Sequence, residues 1–228
     1  MQHDACPAPR YHPIICLNQA FPVSSGQFST KDRILNAAEG LFAQQGFSGT
    51  SLREVTSRAD VNIAAVNYHF GSKENLINEV FRRRMDEMSA ARLSLLKEAV
   101  ARQPGEIEPI LHAFVAPALA VSHERAGGAF IRVIARAYAE KNDSLRGFLS
   151  ARYGHVLRDF AKALAACLPG LDKEQLYWRL DFISGALTYA MADFGAIKRP
   201  HDVSEESHQR RAAEELIAFA AAGLRAPA

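Results

Sequence analysis

Residues 47–76 read FSGTSLREVTSRADVNIAAVNYHFGSKENL, and this stretch decides the fold. Ser51-Leu52-Arg53-Glu54 has the spacing of a capping box, in which the serine hydroxyl and the glutamate carboxylate each satisfy a backbone N–H of the other. Thr50 or Ser51 therefore opens a short helix with Leu52 and Val55 facing inward. A tight turn at Ala59-Asp60-Val61 follows, and Asn62 is placed to cap a second short helix. Gly71 breaks the chain again, and Ser72 is placed to cap a longer helix through Leu76, Ile77, Val80 and Phe81. Two short helices joined by a tight turn form a helix-turn-helix, whose second helix has the geometry to lie in a DNA major groove.

Working outward, Ser29-Thr30-Lys31-Asp32 is an earlier helix start, followed by Ile34, Leu35, Ala38, Leu41 and Phe42 at helical spacing. Gly46 is expected to stop that helix. Before it, residues 1–27 read as an irregular tail broken by Pro7, Pro9, Pro13 and Pro22. After it, the helix opened by Ser72 is expected to run to about Ala101, ahead of Gln103-Pro104-Gly105. Further helices are predicted over residues 109–122, 128–140, 145–167, 173–194 and 204–224, with Pro117 kinking or interrupting the first. No window shows strand alternation bounded by turns. The expected fold is all-α: a tail (1–27), a three-helix helix-turn-helix head (28–75) and a larger helical body (76–228).

Composition narrows the function classes. A net charge of +2, from 27 basic and 25 acidic residues, excludes a bulk nucleic-acid coat protein but permits a sequence-specific reader with a local basic surface. Three scattered cysteines, Cys6, Cys16 and Cys167, make no disulfide framework, so a reducing cytoplasm is expected. No apolar run approaches the roughly 20 residues that span a bilayer, and no signal-peptide segment is expected. His112, His123, His155 and Cys167 lack catalytic or metal-ligand spacing, and no glycine-rich phosphate loop occurs. His3, His12, Cys6 and Cys16 in the tail have no framework to fix a metal, so neither metal nor cofactor is expected.

Residues 30–76 resemble the DNA-binding domain of the TetR family of bacterial transcriptional regulators. The resemblance rests on Ile34-Leu35-x-x-Ala38-x-x-Leu41-Phe42, Gly46-Phe47, Thr50-Ser51-Leu52-Arg53-Glu54, Ala59-x-Val61, His69-Phe70 and Lys73-Glu74-x-Leu76, in that order. It implies that Thr50 and Ser51 bind a phosphate at a helix N-terminus and that Arg53 reaches a base or phosphate. Asn62, Ile63, Ala65 and Asn67 would line the recognition helix, and Tyr68, His69 and Lys73 would hold the DNA backbone. Asn67 and Ala64 depart from the commoner Tyr and Gly of the family, and Ile63 and Ala65 offer only apolar contacts.

For the body, the resemblance implies a homodimer formed by the last two long helices, reading a palindromic double-stranded operator. Leu176, Leu180, Ile183, Leu187 and Met191, then Leu216, Ile217, Phe219, Ala220 and Leu224, have the periodicity for such an interface or for an intramolecular core. Gly185 and Ala186 would allow close approach. The resemblance also implies a small-molecule effector, with Phe130, Ile134, Tyr138, Trp178 and Phe182 as candidate lining residues beside Met85, Met88, Phe114, Tyr153 and Tyr189. Arg132 and Arg179 sit in apolar sequence; each either pairs with Asp159, Asp181 or Asp193 or anchors an anionic ligand. The segments FIRVIARAYAE and LYWRLDFISGAL resemble the fatty-acid and acyl-CoA-sensing branch of the family. The rival readings are a helical small-molecule-binding protein without DNA activity and an enzyme.

Overall fold

The computed structural model describes residues 28–123, 127–192, 197 and 199–227. The tail with His3, Cys6, His12 and Cys16 lies outside them, as does Asp193. Among the described residues the chain is helical throughout: α1 (Thr30–Gly49), α2 (Leu52–Ala59), α3 (Ile63–Phe70), α4 (Lys73–Arg102), α5 (Ile107–His123), α6 (Gly127–Glu140), α7 (Asp143–Cys167), α8 (Lys173–Met191) and α9 (Glu205–Arg225). None of these is long and apolar enough to cross a membrane.

The helix starts are set by the predicted caps. Ser29, Ser51, Asn62 and Ser72 each accept a hydrogen bond from the backbone three residues on, and Ser51 and Glu54 form the full capping box. Each cap satisfies an N–H that the first helical turn leaves without an intrahelical acceptor. Gly46 breaks α1 with φ 79°, a left-handed conformation suited to glycine, although a short helical turn continues to Gly49. Asp60 supplies the left-handed residue of the turn between α2 and α3, at φ 52°, and Arg33 Nη2 donates to its carbonyl at 2.6 Å. Pro117 does not interrupt α5.

Two apolar clusters result. One centres on Ile34, Ala38 and Phe42 of α1 and takes in Val55, Val66, Phe70, Leu76, Val80 and Phe81. It also recruits Phe130 and Val133 of α6 and Leu145 of α7, so helices distant in sequence help to build the head. The second cluster packs α5 (Leu111, Phe114, Val115, Ala118) against Leu96 of α4, Phe160 and Leu164 of α7, Leu180 and Ile183 of α8, and Leu224 of α9. At 30 residues, α4 is about 45 Å long and serves both clusters.

Head and body also meet at the end of α6. The Glu140 carboxylate accepts from Phe47 N at 2.9 Å and Ser48 N at 3.0 Å, and from Ser48 Oγ at 2.9 Å. Arg136 Nη2 donates to Gln44 O at 3.1 Å. A Cβ on residue 46 would run into the Glu140 carboxylate, so Gly46 is needed for this approach as well as for its backbone angle. Burial of Glu140 pulls its pKa upward, but the amides of Ser48 and Phe47 outweigh that and hold it below the ordinary 4.5. A lowered folded-state pKa means that the stabilisation is complete at neutral pH and is lost as pH falls below 4.5 through the folded value. Glu140→Ala is therefore expected to cost about 1 kcal/mol at pH 7, allowing for solvent screening, and almost nothing at the acid end. Parallel denaturant titrations at the two pH values measure it; equal losses at both would show that the carboxylate charge is not what the amides hold.

Candidate nucleic-acid interface

The α2–α3 pair presents one exposed face. The capping box fixes the start of α2: Ser51 N donates to Glu54 Oε2 at 2.7 Å, and Ser51 Oγ donates to the same oxygen at 2.8 Å. The hydrogen bond from the Ser51 backbone, then that from its side chain, keep the Glu54 carboxyl below its usual range, and Lys73 is close enough to contribute. Arg53 stands exposed one residue before Glu54. The N–H groups of Leu52 and Arg53, at the first helical positions, point out of the helix end without intrahelical acceptors, which suits an anion.

Thr50 is not part of this face. It is buried, its Oγ1 donates to Gly46 O at 2.7 Å, and its N–H donates to Phe47 O. Both of its donors close the break in α1, so the expected phosphate contact is corrected to a structural latch. Ser51 stays at the surface, with its hydroxyl and N–H committed to Glu54.

Helix α3 exposes more than it hides. Val66 and Phe70 are buried in the head, while Asn62, Ile63, Ala64, Asn67, Tyr68 and His69 are exposed. Ala65, expected to face the bases, packs partly against the head core, and Ala64 takes the outward position that sequence reasoning missed. The cause is helical phase: residues 63, 64, 67 and 68 share one exposed face, and 66 and 70 lie on the adjoining side that is turned into the head. Asn62 spends Oδ1 on Ala65 N at 2.9 Å, leaving its amide NH₂ as the group available to a partner. Tyr68 is 86% exposed, its ring set edge-on to His69 at 5.1 Å. This exposed aromatic stands beside a row of small and amide side chains, Asn62, Ala64 and Asn67. Lys73, the first residue of α4, is partly buried.

The expected effector residues do not come together. Phe130 is fully buried in the head cluster, with Ile134 packed beside it. Tyr138, Trp178 and Phe182 are exposed, as is Arg132 on α6. Arg179 donates from Nη1 to the carbonyls of Gly223, Leu224 and Ala226 and from Nη2 to Pro227 O, capping the end of α9; among the described residues it pairs with no acidic side chain. Apolar neighbours in sequence did not bury either arginine, because adjacent helical residues point to different faces.

The stripe expected at a dimer interface is also redistributed. Leu176, Leu180, Ile183 and Leu187 are buried inside the protomer, together with Ala220 and Leu224. The outward side of α8 carries Trp178, Phe182, Gly185 and Tyr189 instead, and Phe219 of α9 is 68% exposed. Trp178 and Phe182 lie with ring centroids 6.0 Å apart.

Comparison with known proteins gives two family matches. The family described as "Bacterial regulatory proteins, tetR family" matches residues 34–80, and "Tetracyclin repressor-like, C-terminal domain" matches residues 112–223. The HTH-type transcriptional regulator YttP of Bacillus subtilis is 49% identical over 57 residues, covering 23% of this chain and 28% of its own length. The HTH-type transcriptional repressor KstR2 of Mycolicibacterium smegmatis is 28% identical over 98 residues, covering 43% of this chain and 46% of its own length. The alignments thus span less than half of either relative. A crystal structure of a tetR family transcription regulator from a Shewanella species superposes with a TM-score of 0.61 at 20% identity, covering 85% of this chain and 96% of that one.

Proposed function

The chain belongs to the TetR family, and from that membership we propose that it is a cytoplasmic DNA-binding repressor, not an enzyme, released from its operator by a small effector. The observation that carries this reading is the exposed face of α3, which pairs Asn62, Ile63, Ala64, Asn67 and Tyr68 on one side with Val66 and Phe70 anchored on the other. In this reading the head (28–75) grips DNA. Asn62, Asn67, Ile63 and Ala64 meet the bases, and Arg53, Tyr68, His69 and Lys73 meet the backbone. Repression is the role named for KstR2, and it is carried over here as part of the proposal.

Two heads on one duplex give the affinity that one cannot, so the functional unit is a homodimer on a palindromic site. The exposed aromatic stripe of α8 with Phe219 is the surface that a second copy would cover. The effector, in the body (76–228), is an acyl or similarly apolar small molecule. It favours a body arrangement in which the two heads no longer fit the groove spacing. Both α4, which starts at Lys73, and the Glu140 contact with α1 support transmission of that change.

A gel-shift series on DNA flanking the protein's own gene, run across salt concentrations, tests the reading. Specific binding should weaken steeply with salt. Lys73→Ala should reduce the slope of log K against log salt by about 2, one phosphate per protomer, and weaken all sequences alike. Absence of binding to every fragment would sink the regulator, while loss confined to one sequence would reassign Lys73 to base reading.

A further inference from the structure

We propose that Asn67 is the residue through which α3 reads sequence, and that the base it reads is adenine; this rests on the DNA-binding reading of the same face and names the base that the face selects. A polar atom already spent inside the protein cannot read a base. Asn62 caps α3, with Oδ1 accepting from Ala65 N at 2.9 Å. Only its NH₂ group remains, and a lone donor is satisfied alike by guanine, by adenine N7, by thymine O4 or by a phosphate. Ile63 and Ala64 carry no polar side-chain atom. Tyr68 ends in one hydroxyl whose proton rotates, so it donates or accepts and discriminates little. The two ring nitrogens of His69 diverge, so a single base edge meets only one of them.

Asn67 differs from all of these. It is exposed on the same face, and among the described residues its side-chain amide holds no hydrogen bond. The backbone beneath it is fixed. Val66 and Phe70 are buried in the head, and the Asn67 carbonyl accepts from Gly71 N at 3.0 Å. Ala64, one turn back, is too small to cover the amide. The side chain is short, so little rotational freedom is lost when it engages. A primary amide presents a donor and an acceptor side by side. In the major groove adenine alone shows the complementary pair, the N7 acceptor beside the N6 amino donor. Guanine shows two acceptors there and would set O6 against the amide oxygen. Cytosine offers one donor, and thymine an acceptor and a methyl group, so each leaves half of the amide unpaired.

The full-length protein and its Asn67→Ala variant should each be used to select sites from a random-sequence duplex library, and the recovered sites measured by gel shift. The wild type should recover a symmetric site with at least one fixed adenine in each half. Asn67→Ala should recover the same site with one such adenine relaxed to any base. Guanine in place of that adenine in one half-site should weaken the wild type by about 5- to 150-fold and the variant by less than about 2-fold. The same position filled by 7-deazaadenine, which lacks only the N7 acceptor, should weaken the wild type by ~5-fold or more, a test that leaves the protein unaltered. Three results overturn the assignment and leave the DNA-binding reading standing: every position keeping its preference in Asn67→Ala, relaxation at a position that is not adenine, or full-strength binding to the 7-deazaadenine duplex. Recovery of no site by the wild type strikes both.

Discussion

Glu39→Ala should lower stability by roughly 3 kcal/mol, enough to move the melting temperature by about 6–12 °C. The Glu39 side chain is only 4% exposed at the junction of α1 and α4, with Arg83 Nη2 2.5 Å and Arg84 Nη2 3.5 Å from its oxygens. Arg83 also reaches Asn36 Oδ1 at 2.8 Å, and its buried Nε has no partner. Removing the carboxylate leaves Arg83 in a poorly hydrated place with one neutral acceptor. The penalty is the desolvation of the orphaned cation rather than the strength of the pair itself. Adding Arg83→Met should therefore restore most of the loss. Thermal denaturation of the single and double variants checks both statements. A single variant within ~0.5 kcal/mol of the parent would mean that the pair is hydrated like a surface salt bridge.

Phe130→Ala should cost about 3–5 kcal/mol, the range for deleting a fully enclosed aromatic side chain. Its ring lies 5.5 Å from that of Phe81, which is 6.4 Å from Phe47, itself 5.3 Å from Phe42. The row crosses from α6 through α4 into α1, so the loss should disable DNA binding through instability of the head. Chemical denaturation followed by gel shift measures this. A stable variant with altered effector response would return Phe130 to the ligand site from which its burial removes it.

Both residues lie beyond what sequence reading reached, and the helix caps show where it succeeded. Ser29, Ser51, Asn62 and Ser72 act on partners three residues away, so their roles were legible from spacing alone. Buried and exposed positions of α3 were nearly so, but an eight-residue helix gives little periodicity, and Ala64 and Ala65 exchanged places. Thr50 looked like a surface hydroxyl because its partner, Gly46 O, becomes reachable only after the break in α1. In the body, periodicity found the apolar sides of α8 and α9 without telling a core from an interface. Leu176 and Leu180 turned inward and Trp178 and Phe182 outward. Glu39 and Glu140 gave no signal, since each depends on contacts between residues remote in sequence.

The contact of Glu140 with Phe47 and Ser48 has a consequence for anyone grafting one protein's specificity onto another. A cut at Gly71 or Ser72 is the obvious choice, because the chain pauses there between two capped helices. Yet a transplanted head would arrive without the residues that complete it: Glu140 and Arg136 against the end of α1, and Phe130, Val133 and Leu145 in its core. The portable unit is discontinuous. A working hybrid would have to carry the matching surface of α6 along with the recognition helix, so operator preference and body sequence are not free to be exchanged independently.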